Sequence, residues 1–160
     1  MNHKIVLYAN RNTGILVLNY LLAKGYSVKV ITEDDDVEDI CSILGIKIVT
    51  FETMGKFDLF ICCHGRKIIS DKYLSMGKFI NIHPCLYKYR GNNPIRKYID
   101  NKDTHATVEV QHMIKEVDAG EVIGRINFET PVIETYAEFY NIAYRYYIKC
   151  LDYSLKTISK

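Results

Sequence analysis

The stretch Asn81-Ile-His83-Pro84 places an amide and an imidazole two residues apart at the end of an apolar run. On an extended chain residues i and i+2 face the same side, so both side chains can converge on one ligand atom. The amide donates a hydrogen bond without changing charge, and the imidazole can move a proton near neutral pH. A carboxylate that orients or charges the histidine would complete the set. Asp118, in the loop Glu116-Val-Asp-Ala-Gly120, is the candidate. Residue types alone equally accommodate a structural or solvated histidine. Two other strand ends carry polar residues suited to a ligand, Asn10-Arg-Asn-Thr13 and His64-Gly-Arg66-Lys67, and open α/β sheets bind ligands beyond the carboxyl ends of their strands.

The elements that must position these residues follow from periodicity. Lys4 to Ala9 reads as a buried strand, Asn10 to Gly14 as a turn, and Ile15 to Ala23 as a helix stopped by Lys24-Gly25. Ser27 to Thr32 is a second strand. The acidic run Glu33 to Asp36 opens a helix reaching Leu44, where carboxylates suit the N-terminus. Ile46 to Phe51 and Phe57 to Cys63 read as strands three and four, Ile69 to Leu74 as a short helix, and Phe79 to Ile82 as strand five. Strands alternating with helices predict an α/β fold, a Rossmann-like and mostly parallel open sheet of about six to seven strands in a single compact domain, residues 1–160. Thr107 to Met113 and Glu121 to Phe128 are two further alternating stretches that extend the sheet. A long helix, Tyr136 to Leu155, opens with the capping box Thr135-Tyr-Ala-Glu138. Its stripe of Phe139, Tyr140, Ala143, Tyr144, Tyr147, Leu151 and Leu155 is read as core packing. One connection conflicts with this plan. Only Glu52 to Lys56 separate strands three and four, whereas a parallel crossover needs a dozen residues or more. Either the third strand is absent or a crossover helix is.

Composition narrows the function. At 160 residues and 48% hydrophobic, the chain can bury a core of its own, and a net charge of +2 does not announce nucleic acid or an acidic membrane. The apolar run after Met1 to Lys4 is too short for a signal peptide, and no stretch reaches the length of a membrane span. Five cysteines without C-x-x-C spacing indicate neither a disulfide framework nor a zinc site, so a cytoplasmic location is the expectation. The first βα turn contains neither G-x-G-x-x-G nor a Walker pattern, which argues against a dinucleotide or triphosphate site. Thirteen tyrosines and no tryptophan, many of the tyrosines on the last helix, suggest a tyrosine-rich homodimer surface.

Three motifs in order, Asn81-Ile-His-Pro84, Tyr89-Arg-Gly91 with Pro94-Ile95, and Val117-Asp-Ala-Gly-Glu-Val-Ile123, resemble the signature of the folate-dependent formyltransferases. The resemblance covers nearly the whole chain. It implies a Rossmann-like fold and 10-formyltetrahydrofolate as formyl donor, without a metal. It also implies catalytic roles for Asn81, His83 and Asp118. Arg66, Lys67, Ile68 and Ile69 would line the pterin pocket, mostly through backbone and apolar contacts, with Val117, Ala119 and Gly120 as its opposite wall. Asn10, Arg11, Asn12 and Thr13 would lie near the amine substrate or its phosphate. Arg90 and Arg96 would meet substrate phosphate or folate glutamates, or else stand as solvated surface cations.

The chain also departs from that pattern. The usual Ser-Leu-Leu-Pro after the motif is Cys85-Leu-Tyr-Lys88, so a proline-fixed turn is lost. Nine residues before Asp118, where the pattern has Ser or Thr, stands Glu109, which would either compete with Asp118 for His83 or face solvent. Seven before it, a frequent histidine is Gln111. The expectation is a compact formyltransferase acting on a small amine, with a nucleotide-linked amino sugar favoured by Tyr89-Arg-Gly-Asn-Asn-Pro-Ile95. Glycinamide ribonucleotide is the runner-up, and an inactive folate- or nucleotide-binding module the reading from another class. Without a C-terminal domain or a basic surface, action on methionyl-tRNA is not expected, and neither nucleic acid nor membrane is an expected partner.

Overall fold

The computed structural model describes residues 3–159, so Met1 and Asn2, part of the N-terminal reading above, lie outside it. Six strands are hydrogen-bonded in the order β2-β1-β3-β4-β5-β6. The chain divides into two compact units, Met1–Asn81 and Ile82–Lys160, and one strand runs from the first into the second.

In the first unit, β1 (Lys4–Ala9) pairs in parallel with β2 (Ser27–Ile31) on one side and β3 (Leu59–Cys63) on the other. β1 and β3 are almost continuously apolar, as strands covered on both faces must be. Helix α1 (Arg11–Ala23) starts at once after β1, four residues earlier than periodicity predicts. Its start is dense enough that a Cβ on Gly14 would lie 2.9 Å from that of Ala9. Helix α2 (Asp35–Leu44) is capped by the Asp34 side chain, which accepts from Val37 N, and closes on Gly45 at φ 66°. The unit ends with the single turn of α3 (Asp71–Leu74) and the start of β4 (Phe79–Pro84), where Phe79 stacks on Phe60 at 4.4 Å.

The predicted third strand over 46–51 is absent. That segment makes one parallel bridge, Val30 with Ile48, and then turns back as Thr53 N bonds to Thr50 O. Only Val49 of its apolar residues is fully buried, with Ile48 41% exposed, so it lacks the two-sided burial that sustains a parallel strand. The crossover conflict disappears with it, because α2 and the following loop carry the chain from β2 directly to β3.

In the second unit, β5 (His105–His112) and β6 (Val122–Glu129) form an antiparallel hairpin with a register shift at Val110/Gln111. Helix α4 (Pro94–Asp100), which periodicity did not predict, begins with proline at its first position, where the missing N–H costs nothing. Helix α5 (Tyr136–Ile158) has the predicted capping box and buries Phe139, Ala143, Tyr147, Leu151 and Leu155. Cys150 and Ser154 join that buried stripe, while Tyr140 and Tyr144 are only half-buried.

Among the described residues, six other than glycine have left-handed backbone: Arg11, His64, Cys85, Asn93, Lys102 and Asp118. Three of them fall within two residues of the ends of β1, β3 and β4. No helix among the described residues is long and apolar enough to cross a membrane.

Candidate active site

His83 ends β4 with its ring enclosed, its side chain only 9% exposed. Nδ1 lies 2.8 Å from the Pro84 carbonyl, and Nε2 lies 3.2 Å from Asp118 Oδ2 and 3.4 Å from the Gly91 carbonyl. Both ring nitrogens therefore face acceptors, an environment that suits imidazolium. Burial alone would lower the titration of His83. The hydrogen bond to Asp118, the Asp118 charge and the two carbonyls outweigh burial and hold it above the ordinary 6.5. Asp118 reaches the ring from the β5–β6 loop with a left-handed backbone of φ 54°. Its Oδ2 accepts from Gly91 N at 2.7 Å and its Oδ1 from Gln111 Nε2 at 2.9 Å. Burial tends to raise the Asp118 carboxyl, but the His83 bond and charge, with the Gly91 and Gln111 donors, hold it below 3.8. Asn81, half-buried, precedes His83 by two residues on the same strand.

Gln111 was noted in sequence only as a departure from a pattern. It is 2% exposed, and its Oε1 has no protein partner although its Nε2 binds the key carboxylate. The register shift at Val110/Gln111 accompanies this, as bulges beside sites re-aim a side chain. Gly120 permits the approach of the loop, since a Cβ there would lie 1.7 Å from the His112 carbonyl oxygen. Val117 is 56% exposed, and Ala119 is also exposed.

Glu109 follows neither expected course. It is fully buried, so it does not face solvent, and its oxygens are spent away from His83. Oε2 accepts from Leu86 N at 3.0 Å and Thr107 Oγ1 at 2.7 Å, and Oε1 from Tyr87 N at 3.0 Å and Arg125 Nε at 3.2 Å. The turn after β4 is thus tied down by a carboxylate. A signal was present in the sequence: Thr107, Glu109 and Gln111 alternate along one face of a strand whose other face is apolar, and buried polar groups require partners.

In the first unit, Asn10 is fully buried and spent on structure. Its Oδ1 accepts from Thr32 Oγ1 and Glu33 N, and its Nδ2 donates to the His64 carbonyl at 2.9 Å. Tyr8 was missed as a network residue. Its hydroxyl donates to Glu33 Oε1 at 2.8 Å and accepts from the backbone N–H groups of Arg66 and Lys67 at 2.9 and 3.1 Å. Burial and the Glu33 bond push its hydroxyl up to about 12. Arg66 also pairs with Asp34 at 3.5 Å and Lys67 with Glu33 at 3.4 Å. Gly65 makes this possible, because a Cβ would lie 2.6 Å from the Tyr8 ring. Ile69 is buried, Ile68 is 80% exposed, Thr13 is buried, and Arg11 and Asn12 are exposed. In the second unit Arg90 is exposed, while Arg96 pairs with Asp100 at 3.0 Å along its own helix.

The family model for formyl transferase matches residues 46–142. The chain belongs to the formyl transferase family. A methionyl-tRNA formyltransferase from Thermotoga maritima is 32% identical over 114 residues, 68% of this chain and 36% of that protein. The chain therefore spans about a third of the length of that relative. Among solved structures, a sugar 3N-formyl transferase crystallised with dTDP and 5-N-formyl-THF superposes with TM-score 0.85 at 20% identity, covering 99% of this chain and 63% of that one. The phosphoribosylglycinamide formyltransferase of Campylobacter jejuni gives TM-score 0.80 at 18% identity, covering 100% and 99%. At these identities the structural likeness is one of fold.

Proposed function

We propose that the chain transfers a formyl group from 10-formyltetrahydrofolate to the primary amine of a small acceptor, a nucleotide-linked amino sugar by preference. The observation that carries the reading is the enclosed His83–Asp118 pair, with Asn81 two residues before it on β4, in a member of the formyl transferase family. Family membership supports the donor. Within the second unit, the exposed apolar side chain of Val117, next to Asp118, suits contact with a flat heteroaromatic ring. When bound, the donor supplies an activated formyl carbon.

The residues then have distinct tasks. As the amine nitrogen bonds to that carbon, the formyl oxygen gains negative charge, which the Asn81 amide meets as a donor and the His83 imidazolium through its charge. Fixed donors at a developing oxyanion are commonly the largest electrostatic contribution to acyl transfer. Asp118 keeps the imidazole charged and takes the proton the amine sheds, directly or through water. The same proton is returned to the nitrogen that leaves as the carbon–nitrogen bond to the donor breaks, so the pair ends as it began.

The acceptor has two supports that point differently. The fold likeness includes a sugar formyl transferase, and the Tyr89 to Ile95 motif resembles that branch, whereas the sequence relatives are methionyl-tRNA formyltransferases. Glycinamide ribonucleotide stands third. A panel of aminated nucleotide sugars, glycinamide ribonucleotide and methionyl-tRNA, scanned by mass for formyl addition, separates them. Formyl addition to none, together with no calorimetric binding of 5-formyltetrahydrofolate, would end the enzymatic reading. Asn81→Ala should lower turnover by about 10²-fold or more with the fold retained, and an active Asn81→Ala, His83→Ala double variant would remove the catalytic assignment. A homodimer through α5 is part of the same proposal. Tyr136 and Tyr153 are exposed there, while Tyr146 is already stacked on Phe128 at 4.3 Å. A monomer by light scattering at high micromolar concentration would exclude it.

A further inference from the structure

We propose that Glu109 is a positioning residue for His83: a buried carboxylate that pins the turn after β4 and so holds the Pro84 carbonyl against His83 Nδ1. The inference rests on the reading of His83 as a catalytic group, but the arrangement itself is a matter of geometry.

Three consecutive peptide units after His83 are pinned. The N–H of Cys85 donates to the Thr107 carbonyl at 2.9 Å, and those of Leu86 and Tyr87 donate to the two oxygens of Glu109 at 3.0 Å each. The first of these units carries the Pro84 carbonyl that His83 Nδ1 meets at 2.8 Å. Cys85 has φ 52°, a left-handed conformation that an L residue keeps only when its surroundings impose it. The turn then closes on the Cys85 carbonyl, which accepts from Lys88 N at 3.1 Å and Tyr89 N at 2.8 Å. Further on, the buried Tyr89 hydroxyl donates to Asp103 Oδ2 and accepts from Asn101 Nδ2. The same loop ends at Gly91, whose N–H and carbonyl meet Asp118 and His83.

A carboxylate suits this place where other residues do not. A serine or threonine hydroxyl cannot reach both Leu86 N and Tyr87 N, and a glutamine would turn an N–H toward one of them. A buried anion is tolerated when its lone pairs are met by donors and its charge by a cation. Here Thr107 Oγ1 and Arg125 complete the set at 2.7 and 3.2 Å. Near the turn Lys88 and Asp103 pair with each other, the His105 ring packs edge-on against Tyr87 and Arg90 is exposed, while Asp118 faces His83.

The test compares Glu109→Gln and Glu109→Asp with the wild-type chain by NMR titration of His83, amide exchange at Leu86 and Tyr87, and steady-state kinetics. Aspartate keeps the charge but shortens the reach, so it separates geometry from Coulomb attraction. Both variants are expected to exchange Leu86 and Tyr87 faster and to move the His83 titration to lower pH. Turnover should fall by about tenfold or more with KM for the donor nearly unchanged, the pattern of a misplaced reacting group. A folded Glu109→Gln with unaltered His83 titration and exchange would overturn the proposal. So would a shift in Glu109→Gln that Glu109→Asp fully restores, because charge alone would then suffice. Should neither variant fold, Thr107→Val removes one bond to Oε2 and is expected to give a smaller shift of the same sign, its absence counting against the proposal. The titration and exchange do not depend on formyl transfer, so a failed activity assay leaves this test intact.

Discussion

At the scale of single residues, the His83–Asp118 pair makes stability depend on pH in a defined window. His83 titrates above 6.5 in the folded chain, so its contribution is complete below 6.5 and is lost as pH rises through the folded value. Asp118 titrates below 3.8, so its contribution is complete above 3.8 and is lost as pH falls through the folded value. The pair thus stabilises most between about pH 4 and 6.5, and urea midpoints measured across pH should peak there. In Asp118→Asn burial still lowers the imidazole and only the two carbonyls oppose it, so His83 should titrate at lower pH, the alkaline decline should flatten, and turnover should collapse. An unchanged His83 titration with turnover intact would reduce the Asp-Ala-Gly segment to a turn. That Asn81 and His83 lie two residues apart on one strand was legible from the sequence alone. The direction of the His83 shift was not, because it depends on two carbonyls, Pro84 and Gly91, whose orientation no residue type announces.

At the scale of elements, the tightest constraint lies in the loop between β5 and β6. A Cβ on Gly120 would sit 1.7 Å from a backbone oxygen, which cannot move without shifting the hydrogen bond from His112 N to Glu121 O. Gly120→Ala should therefore destabilise the chain by about 1–3 kcal/mol or more, read by urea unfolding, and turnover should fall further than stability accounts for, since Asp118 rides on the same loop. A variant as stable and active as the parent would show that the hairpin accommodates its site loosely. Most elements were readable because α and β periods alternate cleanly. The segment 46–51 misled because its β-branched content matches a strand while its burial does not. Helix α4 was hidden by its length and by the Gly-Asn-Asn run before it, although Pro94 marked its first position.

At the scale of the whole molecule, all five cysteines are free and buried. Burial raises the thiols of Cys41 and Cys63, and pushes those of Cys85 and Cys150 up to about 12 and about 11. Raised thiols remain protonated at neutral pH and are poor nucleophiles. The native chain should accordingly resist a disulfide reagent such as DTNB and release all five groups only on unfolding; rapid labelling of Cys85 would mean that the turn beside His83 opens readily. Composition gives the number of cysteines and nothing of their surroundings. It could not predict that Glu109 would stabilise the turn containing one of these cysteines, because its partners are backbone groups of that turn, Thr107, and an arginine on the neighbouring strand.

The left-handed residues have a consequence for how such a chain can be improved or spoiled. Arg11, His64 and Cys85 each adopt, just after a strand of the sheet, a backbone geometry natural to glycine. Replacing one of them with glycine relieves a steric penalty of about 1 kcal/mol while enlarging the freedom of the unfolded chain. A glycine at Cys85 sets that relief against the loss of a fully buried side chain, so the melting temperature should fall, and the distribution of turn conformations next to His83 should broaden, measurable as lower order parameters at Leu86 and Tyr87. The melting temperature and the order of the turn report different things about one substitution, so a screen for heat resistance alone would not show whether the chemistry beside His83 survives.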